Sequence, residues 1–90
     1  MLSQDVRIIN KLGMHARAAS KFIAVAKHHI SKVEIGFPGQ DMVNGKSIMQ
    51  VMTLGAEQGD TLNLTIEGED EQQAMEELLA LINDYFGEGE

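Results

Sequence analysis

Alternation and helical spacing along the chain predict four short strands and three helices. Val6 and Ile8 fall on one face of residues 4–9, which predicts a first strand. Asn10-Lys11-Leu12-Gly13 reads as a loop. Ala19, Phe22, Ile23, Ala26 and Ile30 then recur at helical spacing, which predicts a helix over 16–28 with these residues as its buried stripe. Val33, Ile35 and Phe37 alternate over 32–37, a second strand. Pro38-Gly39 suits the central pair of a type II turn, after which a short third strand over 40–43 returns antiparallel. Asn44-Gly45-Lys46 is a second turn. Ser47 with Gln50 three residues later is a capping box, opening a short helix that Gly55 soon stops. Leu62, Leu64 and Ile66 alternate over 61–67, a fourth strand following the Gly59-Asp60 turn. Asp70 and Gln73 repeat the capping signal, and a last helix over 71–86 carries Ala74, Met75, Leu78, Leu81, Ile82 and Tyr85 as its apolar stripe.

The order is βαββαβα in 90 residues, without repeat or linker, so 1–90 is expected to be a single domain. Alternating strands favour a mostly antiparallel four-stranded sheet with one wet face. Helices of this length would cover the other face, giving a two-layer α+β domain.

Charge changes the picture more than composition does. The net charge is −7, yet residues 1–46 carry +4 and residues 47–90 carry −11. A basic surface is therefore expected near the first helix and an acidic one elsewhere. The overall acidity argues against a nucleic-acid binder. The chain contains no cysteine, which excludes disulfides and thiolate metal sites. Its apolar runs are too short to span a membrane, and its first residues lack a signal pattern, so a cytoplasmic protein without membrane insertion is expected. No metal-ligand set, Gly-rich nucleotide loop or nucleophile–base–acid triad is evident, so no cofactor is expected.

The candidate chemistry lies in residues 13–21, Gly-Met-His-Ala-Arg-Ala-Ala-Ser-Lys. His15 sits where the first helix begins, beside backbone N–H groups that have no helical partner and near the positive end of the dipole. A lone histidine at a helix start is most often only a polar end residue. Gly13 before it and Arg17 after it shift the reading toward phosphate chemistry. A neutral imidazole can attack phosphorus, the N–H groups of Ala16, Arg17 and Ala18 can hold phosphoryl oxygens, and the Arg17 guanidinium adds a charged fork. Ser47 is accounted for by its cap, although a phosphate there would suit a helix N-terminus. The six methionines either fill core or form an adaptable docking surface around Ile48, Met49 and Met52, which Met14 would join. His28 and His29 are explained by the helix dipole and do not suggest a metal site.

Gly13-Met14-His15-Ala16-Arg17-Ala18-Ala19-Ser20 resembles the active-site signature of the HPr family, the histidine-containing phosphocarriers of the phosphoenolpyruvate-dependent phosphotransferase system. Asn44-Gly45-Lys46-Ser47-Ile48-Met49 resembles that family's second signature, around a regulatory serine. The two blocks lie at the family's spacing, and the resemblance spans nearly the whole chain. It implies an HPr-like open-faced sandwich and a carrier rather than an enzyme. His15 would accept a phosphoryl group on Nδ1 from phosphorylated enzyme I, assisted by Arg17. It would pass the group to a histidine of an enzyme IIA protein or domain, in sugar uptake or nitrogen-related regulation. Docking would use the first two helices, including Met14, Arg17, Ser20, Lys21, Lys27, Ile48, Met49 and Met52. Ser47 would be the position addressed by an HPr kinase/phosphorylase. A monomer is expected. Ala18 stands where most of the family has proline, and Gln50 where glycine is common. Two other readings stay open from the residues alone: a ferredoxin-like ligand-binding module, or a regulator that only docks.

Overall fold

The computed structural model describes all 90 residues. Strand β1 (Leu2–Arg7) leads to helix α1 (Ala16–Lys27), strand β2 (Lys32–Gly36), strand β3 (Val43–Asn44), helix α2 (Ile48–Thr53), strand β4 (Thr61–Glu67) and helix α3 (Glu71–Asn83). The sheet order is β1-β4-β2-β3, antiparallel throughout, so β4 is central. Register pairs Val6 with Leu62, Ile35 with Leu64 and Val33 with Ile66. All six side chains are buried on the helix-covered face. The opposite face is a polar ladder. Asn63 donates to Ser3 Oγ at 3.0 Å and to Asp5 Oδ1 at 3.1 Å, and the Thr65 hydroxyl donates to Asn63 Oδ1 at 2.7 Å. This is the expected α+β open-faced sandwich with one wet face.

Helix α1 forms because alanines dominate its first turn and Ala18, Ala19, Phe22, Ile23 and Ala26 make one buried face. It packs against both α2 and α3. Ile30 does not join that face. The helix ends at Lys27, and the chain turns Ile30 out to 73% exposure. The Pro38-Gly39 turn forms as expected, with Gly39 at φ +79° and Gln40 N–H donating to the Phe37 carbonyl at 3.0 Å. β1 starts two residues earlier than alternation suggested, and β3 is shorter and later, at Val43–Asn44.

Two capping expectations need correction. Ser47 Oγ accepts Gln50 N–H at 3.3 Å, but the Gln50 side chain accepts Asn44 N–H at 2.9 Å and does not return to Ser47. Half of the box is present. Asp70 makes no cap bond with α3. It accepts the backbone N–H groups of Ile30 and Ser31, the Ser31 hydroxyl and His29 Nδ1. A carboxylate with four cross-chain donors has no reason to bond its own helix. The last helix also stops at Asn83, short of 86. Tyr85 (φ +57°) and Phe86 (φ +53°) form a left-handed turn, which leaves Tyr85 exposed and buries Phe86 completely. Such backbone costs an ordinary residue about 1–2 kcal/mol.

Candidate functional site

The site is built where the β1–α1 loop meets the end of the chain. Gly13 adopts φ +68°, and Met14 N–H donates to the Ala56 carbonyl at 2.9 Å, fixing the approach to α1. His15 follows in extended conformation as the N-cap, with its side chain 22% exposed. The helical ladder starts with Ala19 N–H donating to the His15 carbonyl at 2.8 Å. The N–H groups of Ala16, Arg17 and Ala18 therefore precede the ladder, as expected of a helix start. Arg17 N–H donates to His15 Nδ1 at 3.3 Å.

The other ring nitrogen, Nε2, bonds Glu88 Oε2. Burial pushes the Glu88 carboxyl up. Hydrogen bonds from Asn10 and His15, the His15 charge when the ring is protonated, and the Arg17 charge outweigh burial and hold it below the usual carboxylate range. Glu88 is thus ionised at neutral pH and can only accept. An amide N–H can only donate. The two partners agree on one tautomer: Nε2 carries the proton and Nδ1 carries the lone pair.

Glu88 reaches His15 because of the left-handed turn. Phe86 anchors it in the core, and the Phe86 carbonyl accepts Lys21 Nζ at 2.7 Å. Lys11 N–H donates to the Glu90 carbonyl at 3.0 Å. Buried Asn10 donates to the Gly13 carbonyl at 2.8 Å and to Glu88 Oε1 at 3.1 Å. An open cleft of about 420 Å³ beside the tail is lined by Lys11, Arg17 and Lys21 facing Glu88 and Glu90.

Several sequence candidates sit elsewhere. Met14 is only 4% exposed and lies in the core, so it is withdrawn from the docking patch. Ile48, Met49 and Met52 are exposed on α2, because a helix this short buries only Val51. Ser20 and Lys27 are exposed on α1. Lys21 is half-buried by its bond to the tail. Ser47 lies at the start of α2, half-buried.

Sequence reasoning missed Asn10, Phe86 and Glu88 at this corner. It also missed the role of His29, which is buried with Nδ1 on Asp70 and Nε2 on Glu77. The hydrogen bond to Glu77 leads the forces that raise its pKa. Burial opposes it and the Asp70 contacts add to it. No group of three or more His, Asp or Glu side chains is arranged to hold a metal ion. No helix is long and apolar enough to cross a membrane.

The family model described as "PTS HPr component phosphorylation site" matches residues 2–84. The Pseudomonas aeruginosa phosphocarrier protein HPr is 49% identical over 90 residues, the full length of both chains. A crystal structure of HPr from Thermoanaerobacter tengcongensis superposes with a TM-score of 0.92 at 40% identity, covering 98% of each chain. A dimer of HPr from the same organism matches with a TM-score of 0.77, again at 40% identity, covering 98% of this chain and all of that one. A histidine capping its helix in an open-faced sandwich is thus joined to end-to-end sequence similarity, and the chain belongs to the HPr family of phosphocarrier proteins of the phosphotransferase system.

Proposed function

We propose that His15 accepts a phosphoryl group on Nδ1 from phosphorylated enzyme I, charged from phosphoenolpyruvate. It then passes the group to a histidine of an enzyme IIA protein or domain. The observation that carries this reading is the hydrogen-bond arrangement of the ring, which puts the lone pair on Nδ1 at the start of α1. Attack forms the Nδ1–P bond as the donor's bond to phosphorus breaks. Arg17 N–H then loses its ring acceptor and, with the N–H groups of Ala16 and Ala18, turns to the phosphoryl oxygens. The Arg17 guanidinium, exposed beside the cleft, meets the remaining charge. The chain is a carrier, since each partner supplies the other half of the transfer.

Docking is assigned to the exposed surface of α1 and α2. Basic Arg17, Lys21 and Lys27 and the exposed apolar Ile48, Met49 and Met52 suit partners with acidic and apolar patches. One chain carries the whole site, which supports action as a monomer, and the cytoplasm is the proposed location. Ser47 is the candidate modification site for an HPr kinase/phosphorylase. The acceptor belongs to the sugar-uptake or the nitrogen-related branch, and a panel of purified IIA proteins separates these.

The test is intact mass after mixing with phosphoenolpyruvate, magnesium and enzyme I. The expected result is one acid-labile phosphate, absent from His15→Ala. Normal labelling of that folded variant at another histidine refutes the assignment.

A further inference from the structure

We propose that Glu88 is a positioning residue for His15, brought back by the left-handed turn at the end of the chain to hold the Nε2–H bond and aim the Nδ1 lone pair. This rests on the phosphocarrier reading above. Three features converge on Glu88. The first is the turn. Tyr85 and Phe86 adopt left-handed backbone where a continued helix would avoid it, with Phe86 fully buried and its carbonyl held by Lys21. The chain two residues beyond this anchor is Glu88.

The second feature is Asn10. Its side chain is fully buried, and its amide nitrogen serves the Gly13 carbonyl and Glu88 Oε1, while its Oδ1 has no partner. A flipped amide would satisfy neither acceptor and would set a carbonyl against a carboxylate. Leaving a buried acceptor bare is unfavourable, so the orientation is dictated by Glu88 and the loop before His15. Asn10 therefore ties Glu88 to the loop that carries the histidine.

The third feature is the ring. Glu88 accepts from Nε2, while Arg17 N–H points at Nδ1. A carboxylate behind one ring nitrogen fixes the tautomer and orientation of the ring. The chemistry balances without loss of a proton. The Nδ1 pair forms the bond to phosphorus, the donor's pair leaves with the donor, and Nε2 keeps its hydrogen. The positive charge that develops on the ring is met by Glu88. In the onward step the Nδ1–P pair returns to Nδ1, so the leaving group is a neutral imidazole. Lys11 and Arg17 line the cleft facing Glu88 and offset its repulsion of the incoming phosphoryl group.

The test uses the full chain with Glu88→Ala and Glu88→Gln. In ¹⁵N-labelled protein, at a pH where the ring is neutral, the His15 Nε2 proton is expected downfield and protected from exchange in the wild type. It should lose both properties in Glu88→Ala. Glu88→Gln still offers an acceptor and should retain part of the signal. Phosphoryl acceptance from phospho-enzyme I, followed by rapid quench, should fall about tenfold in Glu88→Ala and less in Glu88→Gln, with melting temperatures alike. An Nε2 proton unchanged by Glu88→Ala overturns the proposal. So does an unchanged or faster rate with His15 still labelled, and a faster rate would mean that the tail only covers the ring. A wild type that phospho-enzyme I leaves unlabelled overturns the carrier reading instead, while the Nε2 resonance still decides whether Glu88 holds the ring.

Discussion

Replace Gly13 by alanine and two separate costs arise. The backbone there has φ +68°, a left-handed conformation that costs alanine about 1–2 kcal/mol. The added Cβ would also lie 2.5 Å from the Ala56 carbonyl oxygen and 2.8 Å from Glu57 Cα. Both are backbone atoms, so no rotamer change relieves the clash. Moving them away pulls the Ala56 carbonyl from Met14 N–H, which now donates to it at 2.9 Å. Losing that bond at a buried residue adds about 1–2 kcal/mol. The sum is about 3 kcal/mol, a large share of a small domain's stability.

Gly55→Ala is the matched control. Its φ is +62°, and an added Cβ meets nothing within 4 Å, so only the first cost applies. Urea unfolding followed by far-ultraviolet circular dichroism should show similar slopes for both variants. The midpoint for Gly13→Ala should fall about twice as far as that for Gly55→Ala. Equal losses, within about 0.5 kcal/mol, would mean that the loop yields freely and that its closeness to Ala56 does not fix the approach to His15.

His29 should give stability a pH dependence. Its folded pKa is raised, led by the hydrogen bond to Glu77, so its contribution is complete below the ordinary value of 6.5 and is lost as pH rises through the folded value. Thermal melts should fall over that window in the wild type and stay level in His29→Gln, and parallel curves would exclude the ion pairs. Asp70 acts with the opposite sign. Its carboxyl is held far below the ordinary 3.8, first by the Ser31 hydroxyl, so its contribution survives until well into acid. Ser47→Ala should cost about 1 kcal/mol by removing the Gln50 N–H cap, read in the same urea assay, while acceptance of phosphate at His15 keeps its rate. A slowed rate would tie the α2 cap to the transfer itself.

The sheet and the first helix were legible because their burial follows a period. Leu62, Leu64 and Ile66 alternate and are all buried, and Ala19, Phe22, Ile23 and Ala26 keep helical spacing. Gly13, His15 and Arg17 were legible because glycine punctuation and helix-end chemistry are local. Ile30 failed for the same reason, since spacing alone continues past a helix whose end was already fixed by the turn into β2. Asp70 failed as a cap because its donors come from residues 29 to 31, some forty positions away, and a capping signature registers only what lies three residues on.

Phe86 shows why the end of the chain was misread. A helix continued to 86 would keep Tyr85 on the apolar stripe, whereas the left-handed turn exposes Tyr85 and buries Phe86 instead. The two also differ in where they send residue 88. Only the turn places Glu88 against His15, and that contact spans 73 positions of sequence. The backbone strain at Tyr85 and Phe86 persists because Phe86 fills the core and Lys21 holds its carbonyl. The strain is thus opposed by ordinary packing, and the freedom left to Glu88 is small. A histidine whose lone pair must point one way gains from a carboxylate with little freedom, which gives the folded-back tail a chemical use beyond covering the end of α1.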